Sequence, residues 1–147
     1  MSRIVVVTGA ASGIGFAAAE RFRDLGDTVF GLDIAPTVPA GVTYVECNVG
    51  SKAAVDAAIA VCAEGGRIDV LANVAGVVQF GHFDQITDAE WDRVHAIDLK
   101  GPFMMIQAAL PHLRQSDAGR IVNIASTEAL GATNRDSPYC AAKAGVT

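Results

Sequence analysis

Ile4-Val5-Val6-Val7-Thr8-Gly9-Ala10-Ala11-Ser12-Gly13-Ile14-Gly15 is the stretch that decides the fold. It opens on four apolar residues without a break. Alternation would mark a strand with one wet face; a continuous run marks a strand buried on both faces, as in a parallel sheet covered by helices. After the glycines comes a segment of helical composition, 16–25, ending at Gly26, a suitable C-cap. A glycine-rich turn leading into a helix N-terminus suits a phosphate, because the first-turn N–H groups lack partners. Gly9 permits the tight turn, Gly13 lets the backbone approach a pyrophosphate, and Gly15 lets the helix lie close to the sheet. Ser12 offers a hydroxyl donor, and Ile14 sits among the same first-turn groups. Glycines also serve bare turns; the strand–turn–helix setting is what points to a dinucleotide.

The same alternation continues along the chain. Residues 28–32 read as a second strand stopping at Asp33, Pro36, Pro39 and Gly41 as a loop, and 42–47 as a third strand. Ser51 is an N-cap for an Ala-rich helix reaching about Ala63, which Gly65-Gly66 breaks. A fourth strand, 68–72, runs into Asn73-Val74-Ala75-Gly76. Thr87-Asp88-Ala89-Glu90 has the capping-box pattern, with Trp91, Val94 and Ile97 at apolar spacing behind it. Gly101-Pro102 reads as an interruption before a further helix, 103–113, whose last turn Pro111 should loosen. Residues 120–125 form a fifth strand, and Ser137-Pro138 opens a final helix. Strands alternating with helices imply an α/β protein, a Rossmann-like doubly wound parallel β-sheet with helices on both faces.

Asp33 stands about twenty residues past the glycines, where a carboxylate accepts the adenosine ribose hydroxyls of NAD and repels the 2′-phosphate of NADP. No Lys or Arg follows it (Ile34 is next) and none lies within the glycine loop, so NAD is the expected cofactor. Capping a strand end is the other role open to Asp33. The composition, 51% hydrophobic and 18% charged over 147 residues, excludes a disordered chain. A net charge of −5 argues against nucleic acid as a partner. No apolar run is long enough to span a bilayer, and the first residues are too few for a signal peptide. Cys47, Cys62 and Cys140 form no CxxC pair, so reduced thiols in a cytoplasmic protein are expected, with no disulfide framework and no metal. His82, His95 and His112 have no metal-ligand spacing.

Four motifs in this order resemble the short-chain dehydrogenases/reductases. Thr8-Gly9 with Gly13 and Gly15 matches that family's TGxxxGxG, Asn73-Val74-Ala75-Gly76 its NAG motif, and Tyr139-Cys140-Ala141-Ala142-Lys143 its YxxxK. Ser126, closing the fifth strand, stands where the family has its substrate-contacting serine. The resemblance implies hydride transfer between NAD and a secondary alcohol or carbonyl compound. Such a reaction also needs a proton to leave or join the substrate oxygen. Tyr139 is the implied acid/base. A free tyrosine has a pKa of about 10, and Lys143, one helical turn on, supplies a charge that favours the ionised form. Ser126 would hold the substrate oxygen, and Lys143 would also bind the nicotinamide ribose. Asn48-Val49 stands where the family has Asp-Val beside adenine, while Asn73, Ala75 and Gly76 would line the adenosine ribose and support the central strand. Ile124 would lie near the nicotinamide ribose.

The chain departs from the family's pattern at Asp98. Ile97-Asp98-Leu99-Lys100-Gly101 aligns with a segment reading NLxG, whose Asn completes a catalytic tetrad and helps to place a proton-relay water. An ionised Asp98 accepts hydrogen bonds but cannot donate them. It either opposes formation of tyrosinate or pairs with Lys143 and preserves the relay. Val78, Gln79 and Phe80, then Glu128, Leu130, Thr133 and Arg135, are expected to line a substrate site or to form a solvated loop. The apolar run Phe103-Met104-Met105-Ile106 and the helix after Tyr139 correspond to a subunit interface in the family, so a homo-oligomer is expected. Family domains extend to roughly 250 residues, so the resemblance implies two more strands and a substrate loop beyond Thr147. On that reading residues 1–147 carry the dinucleotide-binding part with five strands. A weakly active or inactive nucleotide-binding fragment is the alternative expectation.

Overall fold

A computed structural model describes residues 2–147. Strand β1 (Ile4–Thr8) forms the centre of a five-stranded parallel sheet with β2 (Thr28–Asp33), β3 (Thr43–Glu46), β4 (Val70–Asn73) and β5 (Arg120–Asn123), in the order β3-β2-β1-β4-β5. The chain reverses direction of travel across the sheet between β3 and β4, so the switch in strand order falls at the paired strands β1 and β4, the topological position at whose C-terminal end such sheets bind ligands. Helices α1 (Gly13–Asp24), α2 (Lys52–Cys62), α3 (Asp88–His95), α4 (Gly101–Leu113) and α5 (Ser137–Val146) complete the order.

The continuous apolar run of β1 has two cores to serve. Val6 faces one, built with Leu32, Val55, Ile59, Leu71 and Met105. Val5 and Val7 face the other, with Ala19, Val29, Val42 and Val70. Neighbours along a strand point to opposite faces, so three valines in a row are all fully buried. The helix starts follow their side chains. Ser51 Oγ accepts from the Ala54 N–H, and at α3 Thr87 Oγ1 accepts from the Glu90 N–H (3.2 Å) while Glu90 Oε2 accepts from the Thr87 N–H (2.9 Å), completing the capping box.

Gly101-Pro102 does not interrupt the helix. The chain passes from α3 through a π-helical turn, Ala96–Lys100, straight into α4. The wide turn changes the helical register just where Pro102 has no N–H to give. Gly101 is a contact residue and not a breaker: a Cβ there would stand 3.2 Å from Val49 Cγ2. Met104 and Met105 of the expected interface run are buried in the core; Phe103 is the residue of that run that faces solvent. All four residues of β5 are exposed, and β4 is the only strand it pairs with among the described residues.

At the opposite end of the sheet, Asp69 ties three segments together. Its carboxylate accepts from the Ile4 N–H (2.7 Å), Ser116 Oγ (2.6 Å) and Arg67 Nε (3.1 Å). Burial alone would raise the Asp69 carboxyl, but these donors and the Arg67 charge hold it below the usual carboxylate range. A depressed folded-state pKa adds stability above the unfolded value, and that stability is lost as pH falls through the folded one. Asp69→Asn should therefore cost about 2 kcal/mol near neutrality. In urea titrations the deficit should shrink as the pH is lowered into the carboxylate range.

Candidate active site

The C-terminal ends of β1, β2 and β4 surround a cleft of about 510 Å³. Gly9, Ser12, Gly13, Ile14 and Gly15 form one wall, Asp33 and Asn48-Val49 another, and Ala75 and Gly76 a third. The glycines are required for different reasons. Gly9 has φ +70, and a Cβ on it would lie 2.9 Å from Ala75 Cα, so the loop rests directly on the β4 wall. Gly13 has φ +52 but open space around it: there the glycine serves the backbone conformation, not a close approach. At Gly15 a Cβ would fall 2.0 Å from Gly9 O, so α1 begins against its own loop and not merely near the sheet.

Thr8 Oγ1 accepts from the N–H groups of Val74 (2.9 Å) and Ala75 (3.0 Å), which locks the segment after β4 to the glycine loop. Ser12 precedes α1 in an extended conformation and makes no capping hydrogen bond, and the first turn carries no acidic side chain. The positive end of α1 therefore points into the cleft with its polar groups unengaged. Asp33 also braces the loop: Oδ2 accepts from the Ala11 N–H (3.0 Å) and Oδ1 from the Ala35 N–H (3.1 Å). Each carboxylate oxygen keeps a second lone pair for a diol. Asn48 folds back on its own turn, with Oδ1 accepting from the Gly50 N–H.

Asn73 does not line the cleft. Its Nδ2 donates to Asn123 Oδ1 (2.8 Å), tying β4 to β5, so its part here is to support the strands. Arg93, on α3, does line the cleft and was not singled out from the sequence; next to the buried Val94, it reads there only as a surface cation. Cys47, also at the wall, is buried, and burial pushes its thiol up to about 11, so it stays protonated.

The proposed reacting residues lie on α5 and the segment leading into it, and Lys143 comes up to the cleft wall: a Cβ on Gly76 would stand 3.6 Å from its Nζ. Ser126 Oγ accepts from the Glu128 N–H, and the short turn it starts, Thr127–Ala129, packs on α5. Tyr139 and Lys143 lie one turn apart on α5, with Lys143 Nζ 5.5 Å from the centre of the Tyr139 ring. Lys143 is almost fully buried. Its Nζ donates to Ile124 O (2.9 Å) at the end of β5, so Ile124 acts here through its backbone carbonyl. The same ammonium lies 3.4 Å from Asp98 Oδ2. Asp98 is fully buried, and its Oδ1 accepts from the Val77 N–H (2.8 Å). Burial raises the Asp98 carboxyl, against the opposing pull of the Val77 N–H and the Lys143 charge. The Asp98 carboxylate thus lies beside the Lys143 ammonium.

Part of the expected substrate-lining set is occupied elsewhere. Thr133 donates through its N–H (2.8 Å) and hydroxyl (2.7 Å) to Glu128 Oε2, and the Cys140 thiol faces Asp136 Oδ1 at 3.2 Å. This network braces the loop before α5, and Gln79 is bonded to Glu90. Glu128, Asp136 and Cys140 approach one another within 4.8 Å, a grouping their sequence spacing did not announce. Val78, Phe80 and Leu130 remain exposed. Arg135, at φ +82, accepts from the Gly81 N–H, which joins the two loops.

The family profile described as short chain dehydrogenase matches residues 3–147. The chain belongs to that family. It is 37% identical to the short-chain dehydrogenase/reductase olcF of Penicillium canescens, over 98% of this chain and 59% of the relative. D-threitol dehydrogenase of Mycolicibacterium smegmatis is likewise 37% identical, over 98% of this chain and 60% of its own length. The ligand-free aldohexose dehydrogenase of Thermoplasma acidophilum superposes with a TM-score of 0.95 at 36% identity, covering 99% of this chain and 57% of that one. The chain thus spans about three-fifths of the length of these short chain dehydrogenases. Its sheet is the Rossmann-like sheet of the family, and these relatives are named as dehydrogenases or a dehydrogenase/reductase. None of the helices among the described residues is long and apolar enough to cross a membrane.

Proposed function

We propose that the protein is an NAD-dependent oxidoreductase that interconverts a secondary alcohol and the corresponding carbonyl compound. The observation that carries this reading is Lys143: one buried ammonium fastened to Ile124 O and held beside the Tyr139 ring, next to a cleft headed by a helix N-terminus. The residues present fit a dinucleotide. No side chain fits at Gly15, no carboxylate opposes a phosphate in the first turn of α1, and Asp33 closes the far end. When bound, the nicotinamide supplies the hydride acceptor or donor. The chain's own groups handle the proton: Ser126 holds the substrate oxygen through its hydroxyl, Tyr139 takes its proton or returns it, and Lys143 favours the ionised phenol by its charge. Gly9, Ser12, Gly13, Ile14 and Gly15 would hold the pyrophosphate; Asp33, Asn48, Val49, Ala75 and Gly76 the adenosine; Lys143 and Ile124 the nicotinamide ribose.

The cofactor preference is tested by fluorescence titration with NADH and NADPH. The Asp33 charge should make NADH bind at least tenfold more tightly. Asp33→Asn, which keeps an acceptor for the loop but loses the charge, should remove most of that difference. Equal binding of both cofactors to the unaltered protein would refute the assignment.

A second reading is supported by the exposure of β5 and of Leu130 beside the Ser126–Tyr139 side of the site. A site open to water loses electrostatic leverage, so a polypeptide of these 147 residues should turn over slowly while still binding NADH. Robust NAD-linked turnover by this polypeptide would exclude that reading. A cytoplasmic location accords with three free thiols, and self-association through the α4 face with exposed Phe103 completes the proposal.

A further inference from the structure

We infer that Arg93 is a further cofactor-binding residue, supplying the positive charge that the pyrophosphate of the dinucleotide meets from the α3 side of the cleft. This rests on the reading of the cleft as a dinucleotide site. Two charged side chains line the cleft, Asp33 and Arg93. The glycine loop carries no Lys or Arg, so Arg93 is the one cation on the wall among the described residues. A pyrophosphate brings two negative charges, and the N-terminus of α1 offers the equivalent of about half a positive charge. The N–H groups of that helix can satisfy phosphate oxygens, but they leave most of the charge unmatched. Lys143 does not make up the difference: its ammonium is opposed by Asp98 at 3.4 Å and donates to Ile124 O. Arg93 is free to do so. It is exposed and forms no ion pair among the described residues. The helix that carries it is fixed against the cleft. Ile97, one turn on, lines the same cleft, and a Cβ on Gly50 would stand 3.5 Å from Ile97 Cγ1. At the start of α4 a Cβ on Gly101 would stand 3.2 Å from Val49 Cγ2. These contacts seat the α3–α4 segment on the turn that carries Asn48 and Val49, so Arg93 is presented from a regular, supported element. A guanidinium suits the task, because its planar fork of donors matches two phosphate oxygens at once and it keeps its charge throughout the working pH range.

Fluorescence titration with NADH, and with ADP-ribose as its competitor, tests the assignment on the unaltered protein, Arg93→Gln and Arg114→Gln. Arg114 is the matched control. It is an exposed cation at the end of α4, where His112 O accepts from the Ile68 N–H just before β4, at the end of the sheet away from the cleft. Arg93→Gln should weaken both ligands about tenfold, because both carry the pyrophosphate. Arg114→Gln, with the same change in net charge, should leave both within about twofold. The Arg93→Gln deficit should shrink in about 1 M salt, where charges are screened over roughly 3 Å. Unchanged NADH affinity in Arg93→Gln, or an equal loss in Arg114→Gln, would overturn the assignment. So would a deficit that salt does not reduce, the mark of stacking on the adenine, or a deficit for NADH alone, which would put Arg93 at the nicotinamide end. An unaltered protein that binds neither ligand would overturn the dinucleotide reading along with this one, whereas normal NADH binding without an Arg93 effect would sink this one alone.

Discussion

Tyr139→Phe should reduce kcat by about 10²- to 10⁴-fold, the range that a positioned acid/base contributes, and leave the fold and NADH affinity unchanged. The phenol ring is half-buried, its hydroxyl has no partner among the described residues, and its removal leaves no orphaned group. Lys143→Met should lose activity to a similar degree but for a different mixture of reasons. Lys143 is buried, bonded to Ile124 O and facing Asp98, so its loss strands a buried carboxylate and should cost about 3–5 kcal/mol of stability. Lys143→Arg should not restore function, since a planar guanidinium does not fit a point-charge site between a carbonyl and a carboxylate. Steady-state turnover alongside thermal unfolding separates the two residues. Tyr139→Phe that retains more than a tenth of wild-type kcat would remove Tyr139 from the reaction.

The parts of this molecule that could be read before the structure are those with local causes. Val5, Val6 and Val7 announce a strand between two cores because burial on alternate faces needs apolar residues at every position. Thr87 and Glu90 announce a helix start because the capping box closes within four residues. The glycine loop falls in its strand–turn–helix setting for the same reason, whereas Tyr139 and Lys143 were singled out by the family resemblance, and their four-residue spacing says only that they share one face of α5. What was hidden depends on distant partners. Gly101-Pro102 looks like a break until Val49 packs on Gly101 and the π-helical turn absorbs the proline. Asn73 was expected to support the central strand as well as to line the ribose, but its partner could not be named: its amide serves Asn123 on the neighbouring strand, fifty residues away. Asp69, Arg93 and the Glu128–Thr133–Asp136–Cys140 network likewise exist only once separate segments meet.

Gly15→Ala should abolish NADH binding and destabilise the protein, whereas Gly13→Ala should be far milder. Both replacements add one methyl group to the same loop, so propensity alone would rank them the other way: Gly13 has the positive φ, and Gly15 is helical, where alanine is favoured. Space decides. At Gly15 the methyl carbon would fall 2.0 Å from Gly9 O and 3.1 Å from Thr8 O, both backbone atoms that cannot rotate away. Relief requires α1 to move off the loop. That movement would pull Gly9 from Ala75 and Thr8 from the N–H groups of Val74 and Ala75. The cleft would lose its shape at the point where the helix N-terminus meets a phosphate. Overpacking of this kind costs about 1–3 kcal/mol or more, and the binding loss should exceed a hundredfold. At Gly13 the added methyl meets nothing within 4 Å, so the penalty is the left-handed conformation alone, about 1–2 kcal/mol. NADH fluorescence titration of the two variants gives the decisive comparison. Tight binding by Gly15→Ala would mean that the loop and α1 separate freely, and the cleft would then owe its shape to something other than that contact.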